Sequence, residues 1–99
     1  MSGNGHLFRV SMSGLIVQEI KALAEIATSM GQRAAFLTAL EAIYHHLRNN
    51  PREFGEHRFS TGKQKLYFRI GALRPVAVHF AVHENLPIVL VAKVFLMGA

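Results

Sequence analysis

Leu47-Arg-Asn-Asn-Pro51-Arg-Glu-Phe54-Gly55-Glu56 is the stretch on which the fold turns. An apolar segment of helical period runs into it, and Asn49-Asn50-Pro51 stops that segment. Proline lacks the amide that a helix interior needs and biases the residue before it toward extended backbone. Phe54-Gly55 then reads as a short turn, and the segments beyond it alternate apolar with polar and show no further helical period. Helices first and consecutive strands afterwards is the order of a small α+β domain, with helices on one face of a sheet and the other face left to solvent. Function is expected on that solvent-facing surface.

Upstream, Leu7-Phe-Arg-Val-Ser-Met12 alternates well enough for a short first strand, with Phe8, Val10 and Met12 toward the core. Ser13 can cap a helix over 14–30, where Ile16, Ile20, Leu23, Ala27 and Met30 recur at helical spacing and Gln18, Glu19, Lys21 and Glu25 fall elsewhere. Gly31 supplies a permissive backbone for the stop. Phe36, Leu40, Ile43 and Leu47 form the stripe of a second helix, with Arg33, Glu41, His45 and Arg48 off it. The two helices read as a hairpin, and residues 1–5 as a flexible leader to a single domain over 6–99.

Downstream the period drops to two. Leu66, Phe68 and Ile70 alternate with Lys65, Tyr67 and Arg69, and Val76, Val78, Phe80 and Val82 alternate with Ala77, His79, Ala81 and His83. The stretch 88–97 is apolar at nearly every position except Lys93, as in an interior strand covered on both sides. Turns over 71–75 and 84–87 are short enough for antiparallel hairpins. The expected architecture is β-α-α-β-β-β, an antiparallel sheet with a two-helix hairpin packed on one face and the first strand at an edge. Alternation then places Lys63, Lys65, Tyr67, Arg69, His79, His83 and Lys93 on the outer face, joined by Arg9, with every acid elsewhere. Phe54 and Phe59 are expected to plug the gap between helix and sheet.

At 99 residues there is room for one core and no separate catalytic domain. The formal charge of +5 points to phosphate-rich or acidic partners, against the plainer reading of a basic surface kept for solubility. With no Cys there are no disulfides, thiolate nucleophiles or thiolate metal sites. Without a signal pattern or an apolar run of about 20 residues, a soluble cytoplasmic protein is expected, with no membrane partner. His79 and His83 are a poor metal pair, since four residues of strand separate their Cα atoms by about 13 Å. His45 and His46 point apart on a helix. No cofactor or metal is expected, and no Ser, His, Asp triad is in evidence.

The order of elements resembles the RelE/ParE family of bacterial type II toxins. The resemblance rests on Phe36-Leu-Thr-Ala-Leu40 with Ile43 and Leu47, on Asn50-Pro51-Arg-Glu-Phe-Gly55-Glu56, on Pro75-Val-Ala-Val-His-Phe80-Ala-Val82 and on Ile88-Val-Leu-Val-Ala-Lys-Val94. These are fold-level motifs over roughly residues 8–96. What the resemblance implies for function is split. RelE-like members cut messenger RNA in the ribosomal decoding site without a metal, using Lys and Arg on the exposed sheet face and a Tyr near the C-terminal end. ParE-like members poison DNA gyrase and lack that nuclease set. Both are silenced by an antitoxin that wraps the toxin.

Carried over by residue, Lys63, Lys65 and Arg69 stand where the nuclease branch keeps its lysines. The Arg of the following strand falls near Ala77, with Arg74 the nearest substitute; the Arg after the final strand falls near Met97, and the Tyr beyond Ala99. Metal-free RNA cleavage needs a base for the 2′-hydroxyl, an acid for the leaving oxygen and cations for the phosphate. His79 and Tyr67 are the proton-transfer candidates, Lys65 and Arg69 complete the expected catalytic set, and Lys63, Lys65, Arg69, Arg74 and Lys93 are the expected nucleic-acid contacts. The plainer reading is that these cations decorate the wet side of a half-buried strand. Two functions follow: a toxin that cleaves ribosome-bound messenger RNA, or a non-enzymatic relative that inhibits gyrase or only binds an antitoxin-like partner.

Overall fold

Ser13 holds extended backbone, and its side chain accepts a hydrogen bond from the Ile16 amide at 3.2 Å, which starts helix α1 (Gly14–Ser29). These contacts come from a computed structural model of the chain that describes residues 7–98, so the leader expected over residues 1–5 lies outside the described residues. Gly31, at φ +73°, reverses the chain into helix α2 (Arg33–Asn49), which ends at Asn50 and the buried Pro51. Replacing Ser13 with Ala is expected to lower stability by about 1 kcal/mol, seen as a lower urea midpoint at unchanged slope.

The strands are β1 (Arg9–Ser11), β2 (Glu56–Thr61), β3 (Leu66–Leu73), β4 (Val76–His83) and β5 (Ile88–Leu96). The chain is thus α+β, with two helices and a five-stranded sheet in the order β1-β5-β4-β3-β2. It has one more strand than β-α-α-β-β-β. The sequence concealed β2 because the edge strand is largely polar and its alternation is broken: His57 pairs with Arg69 but Phe59 pairs with Phe68, leaving Arg58 as an extra residue.

The sheet is mixed, not antiparallel throughout. β2 to β5 are joined by antiparallel hairpins, whereas β1 pairs with β5 in parallel. The helical hairpin carries the chain from β1 to the opposite edge, and three reversals bring β5 back to β1 running in the same direction.

The core lies between the helices and one face of β4 and β5. Ile16, Phe36, Ile43 and Leu47 meet Val76, Val78, Phe80, Val82, Val89, Val91 and Val94, all buried. Phe8, Val10 and Met12 pack at its margin, as their alternation predicts. In β5 the inward set shifts from Val91 to Val94, because His79 pairs with Lys93 while Phe80 pairs with Val91 and one extra residue is accommodated.

β3 departs from the expected orientation. Its register sets Tyr67 beside Val82, Arg69 beside Phe80 and Gly71 beside Val78, on the helix side of the sheet. Leu66, Phe68 and Ile70 fall beside His83, Ala81 and His79 on the open side. The alternation is as expected and its facing is reversed. The reason is the reach of the helices: α1 packs on β5, and α2 meets β3 toward its end, where Leu73 lies beside Ala35 and Ala39. The helix side of early β3 therefore lies beyond the helical cover and suits polar side chains. Phe54 does plug the junction, its ring 4.6 Å from His46 and 6.0 Å from Phe80 with Gly71 beneath it. Phe59 does not; it is 55% exposed on the open face and stacked on Phe68. Among the described residues no helix is long and apolar enough to cross a membrane.

Candidate functional site

Where the turn after α2 meets the helix side of β2 and β3, the chain leaves a cleft of about 340 Å³ lined by Arg52, His57, Ser60, Tyr67, Arg69 and Val82. Alternation in β3 brings Tyr67 and Arg69 to it, and cross-strand pairing adds Ser60 beside Tyr67 and His57 beside Arg69.

Both guanidinium groups are held by backbone carbonyls. Arg69 donates from Nε to the Phe54 carbonyl and from Nη2 to the Gly55 carbonyl, each at 2.9 Å. Arg52 donates from Nη2 to the His83 and Glu84 carbonyls at 2.9 and 3.3 Å, and its guanidinium sits 4.8 Å from the centroid of the Phe8 ring. A guanidinium has five N–H donors, so each keeps donors for an anion while its orientation is set.

Between them lie groups able to handle protons. The Tyr67 hydroxyl donates to Glu84 Oε1 at 2.9 Å, and this hydrogen bond, helped by the negative charge of Glu84, raises its pKa above the ordinary phenol value. The His57 ring stands 6.0 Å from the Tyr67 ring, with Nε2 at 2.9 Å from Ser60 Oγ. Lys65 lines a separate small recess with Ser60, Tyr67 and Glu84, and its backbone holds φ +56°. That left-handed conformation is uncommon for a side chain other than Gly, Asn or Asp and is a mark of local strain.

Of the residues singled out in the sequence, Tyr67 and Arg69 thus share the cleft, and Lys65 lines a recess that adjoins it at Tyr67 and Ser60. His79 and Lys93 are on the opposite face, where His79 packs 4.8 Å from the Phe95 ring and the Lys93 ammonium lies 5.5 Å from it. His79 cannot act with Tyr67 or Arg69 through the thickness of the sheet. Lys63 is exposed in the β2–β3 turn, and Arg74 lies in the β3–β4 turn next to Ala34, Ala35 and Thr38 of α2. The expectation that no acid stands on the open face fails at Glu56, which pairs with Ile70 there, while Glu84 lies in the turn where it was expected and reaches Tyr67 from it. Arg52, His57, Ser60 and Glu84 were the residues missed. Their only signal was position, just outside the segments of clear period.

Raising the Tyr67 pKa makes its protonated form part of the native state. The stability it contributes is complete below about pH 10 and is lost as pH rises through the higher folded value. Glu84→Gln is expected to move the Tyr67 titration back down, measured by tyrosinate absorbance against the Tyr67→Phe variant.

A second concavity, of about 360 Å³, is apolar and lies between the helices, with Met12, Ile20, Leu37, Leu40 and Tyr44 in its walls. Among the described residues no three His, Asp or Glu side chains gather as a metal site would require. No protein-family model, no curated protein and no solved structure matches the chain.

Proposed function

We propose that this chain is a RelE/ParE-like toxin whose cleft, between the turn after α2 and strands β2 and β3, binds and cuts single-stranded RNA in a ribosomal setting. The observation that carries the reading is the pair of carbonyl-anchored guanidiniums, Arg52 and Arg69, flanking His57 and the Tyr67–Glu84 pair. Arg52, Arg69 and Lys65 hold the scissile phosphate and offset the charge that gathers on it. His57 takes the proton of the 2′-hydroxyl, whose oxygen attacks the adjacent phosphorus. The bond to the 5′ oxygen breaks, and that oxygen leaves with the Tyr67 hydroxyl proton, which turns from Glu84 to the leaving oxygen. The products are a 2′,3′-cyclic phosphate and a 5′-hydroxyl. The partner that silences the toxin is an antitoxin segment whose apolar side chains fill the groove between the helices.

The test is to induce the chain in a bacterial host and map new messenger RNA 5′ ends within minutes. Cuts inside translated codons that disappear in the His57→Ala variant are expected. Cuts that persist undiminished in that variant would remove His57 from the mechanism.

A second reading has its own support. Because both guanidiniums already serve backbone carbonyls, they can be read as struts, leaving a protein that binds an antitoxin-like partner, or inhibits DNA gyrase, without cutting RNA. Growth arrest without new 5′ ends, accompanied by inhibited supercoiling by gyrase, is the result this reading expects.

A further inference from the structure

The open face of the sheet is apolar where a wet surface was expected. Phe59, Phe68, Ala81 and Leu90 stand side by side across β2, β3, β4 and β5, with Phe59 55% and Leu90 38% exposed. Leu66, Ile70 and Phe95 flank this row on the same face. β5 has the sequence of a strand buried on both sides, yet among the described residues the helices cover only one. An apolar sheet face of this breadth marks an interface.

The pattern on the face is complementary to itself. The neighbouring row reads Glu56, Ile70, His79, Lys93 from β2 to β5, an acid at one end and a base at the other. A two-fold axis along the strands, between β3 and β4, lays this row on its own copy in reverse. Glu56 then faces the partner's Lys93, and Phe59 faces the partner's Leu90, the two most exposed side chains of the apolar row meeting each other. A two-fold axis across the strands would set each charge near its own copy. We infer that a second copy of this chain covers the open face, in a sheet-on-sheet dimer with the strands of the two copies roughly aligned about that axis.

The dimer is independent of the chemistry proposed for the cleft, which lies on the other side of the sheet. Its test is sedimentation equilibrium of the purified full chain and of two charge-reversal variants, E56K and K93E. Both positions are exposed, so neither substitution disturbs the core. The wild type is expected to sediment at twice its 11.0 kDa mass. Each variant alone sets like charges against each other at two symmetric places and is expected to weaken dimerisation about tenfold or more. An equimolar mixture of the two variants restores both opposite pairs and is expected to form the heterodimer at close to wild-type affinity. A wild-type chain that stays monomeric up to millimolar concentration overturns the proposal. So does a dimer that both variants leave intact, or a mixture of variants that fails to pair.

Discussion

Gly55→Ala is expected to lower stability by about 3 kcal/mol or more, enough to unfold a large share of a marginally stable small domain. Two effects add. The backbone at Gly55 holds φ +75°, where an L side chain costs about 1 to 2 kcal/mol. A Cβ there would also overlap the Ile70 carbonyl, and backbone of a paired strand has no rotamer to escape into. Gly31 separates the two, because it has nearly the same φ, +73°, and nothing within 4 Å of an added Cβ. Gly31→Ala is therefore expected to cost only the backbone share, about 1 to 2 kcal/mol. Urea midpoints of the two variants test this, and equal losses would mean that the approach of Gly55 to β3 carries no weight. The position matters beyond stability, since the Gly55 carbonyl is one of the acceptors that hold Arg69.

The second large effect is on the activity proposed for the cleft. Replacing Arg52 and Arg69 together with Ala is expected to reduce RNA cleavage about a hundredfold or more, the scale found when preorganised donors to a developing negative charge are removed. Cleavage would be measured on a defined messenger in a reconstituted translation mixture, with circular dichroism to establish that the variant is folded. Arg69 is half-buried and both carbonyls it serves belong to the turn before β2, so some loss of stability is expected as well. Arg52→Lys with Arg69→Lys separates charge from geometry. Lysine keeps the charge but cannot reach two carbonyls and a phosphate at once, so a partial loss is expected.

Much of the scaffold was legible in the sequence. Ser13 capped its helix, Asn50-Pro51 stopped the second, and the alternation of Val76, Val78, Phe80 and Val82 named the inward face of β4 correctly. Those signals are local and depend on backbone chemistry at a few residues. The facing of β3 was not legible, because alternation gives two faces without saying which one the helices cover. Leu66, Phe68 and Ile70 are apolar for the open face, where Phe68 stacks on Phe59. Tyr67 and Arg69 are polar because the helices stop short of them. Nor was β2 legible, since the bulge at Arg58 breaks the only pattern it had. The site inherits both errors. It gains His57 and Arg52 and loses His79 and Lys93, while Tyr67 and Arg69 remain together on the opposite side of the sheet from the one expected, with Lys65 in the adjoining recess.

The central claim, that nucleic acid is bound in the helix-side cleft, is tested most directly by titrating a short single-stranded RNA into isotope-labelled protein and following backbone amides by NMR. An RNA with 2′-O-methyl groups cannot be cut by the proposed route and so holds the bound state. The amides of His57, Ser60, Tyr67 and Arg69 are expected to shift together, with binding that weakens steeply as salt rises. Those of His79, Lys93 and Phe95 are expected to stay still. Shifts confined to His79, Lys93 and Phe95, or no shift at any residue, would contradict the account.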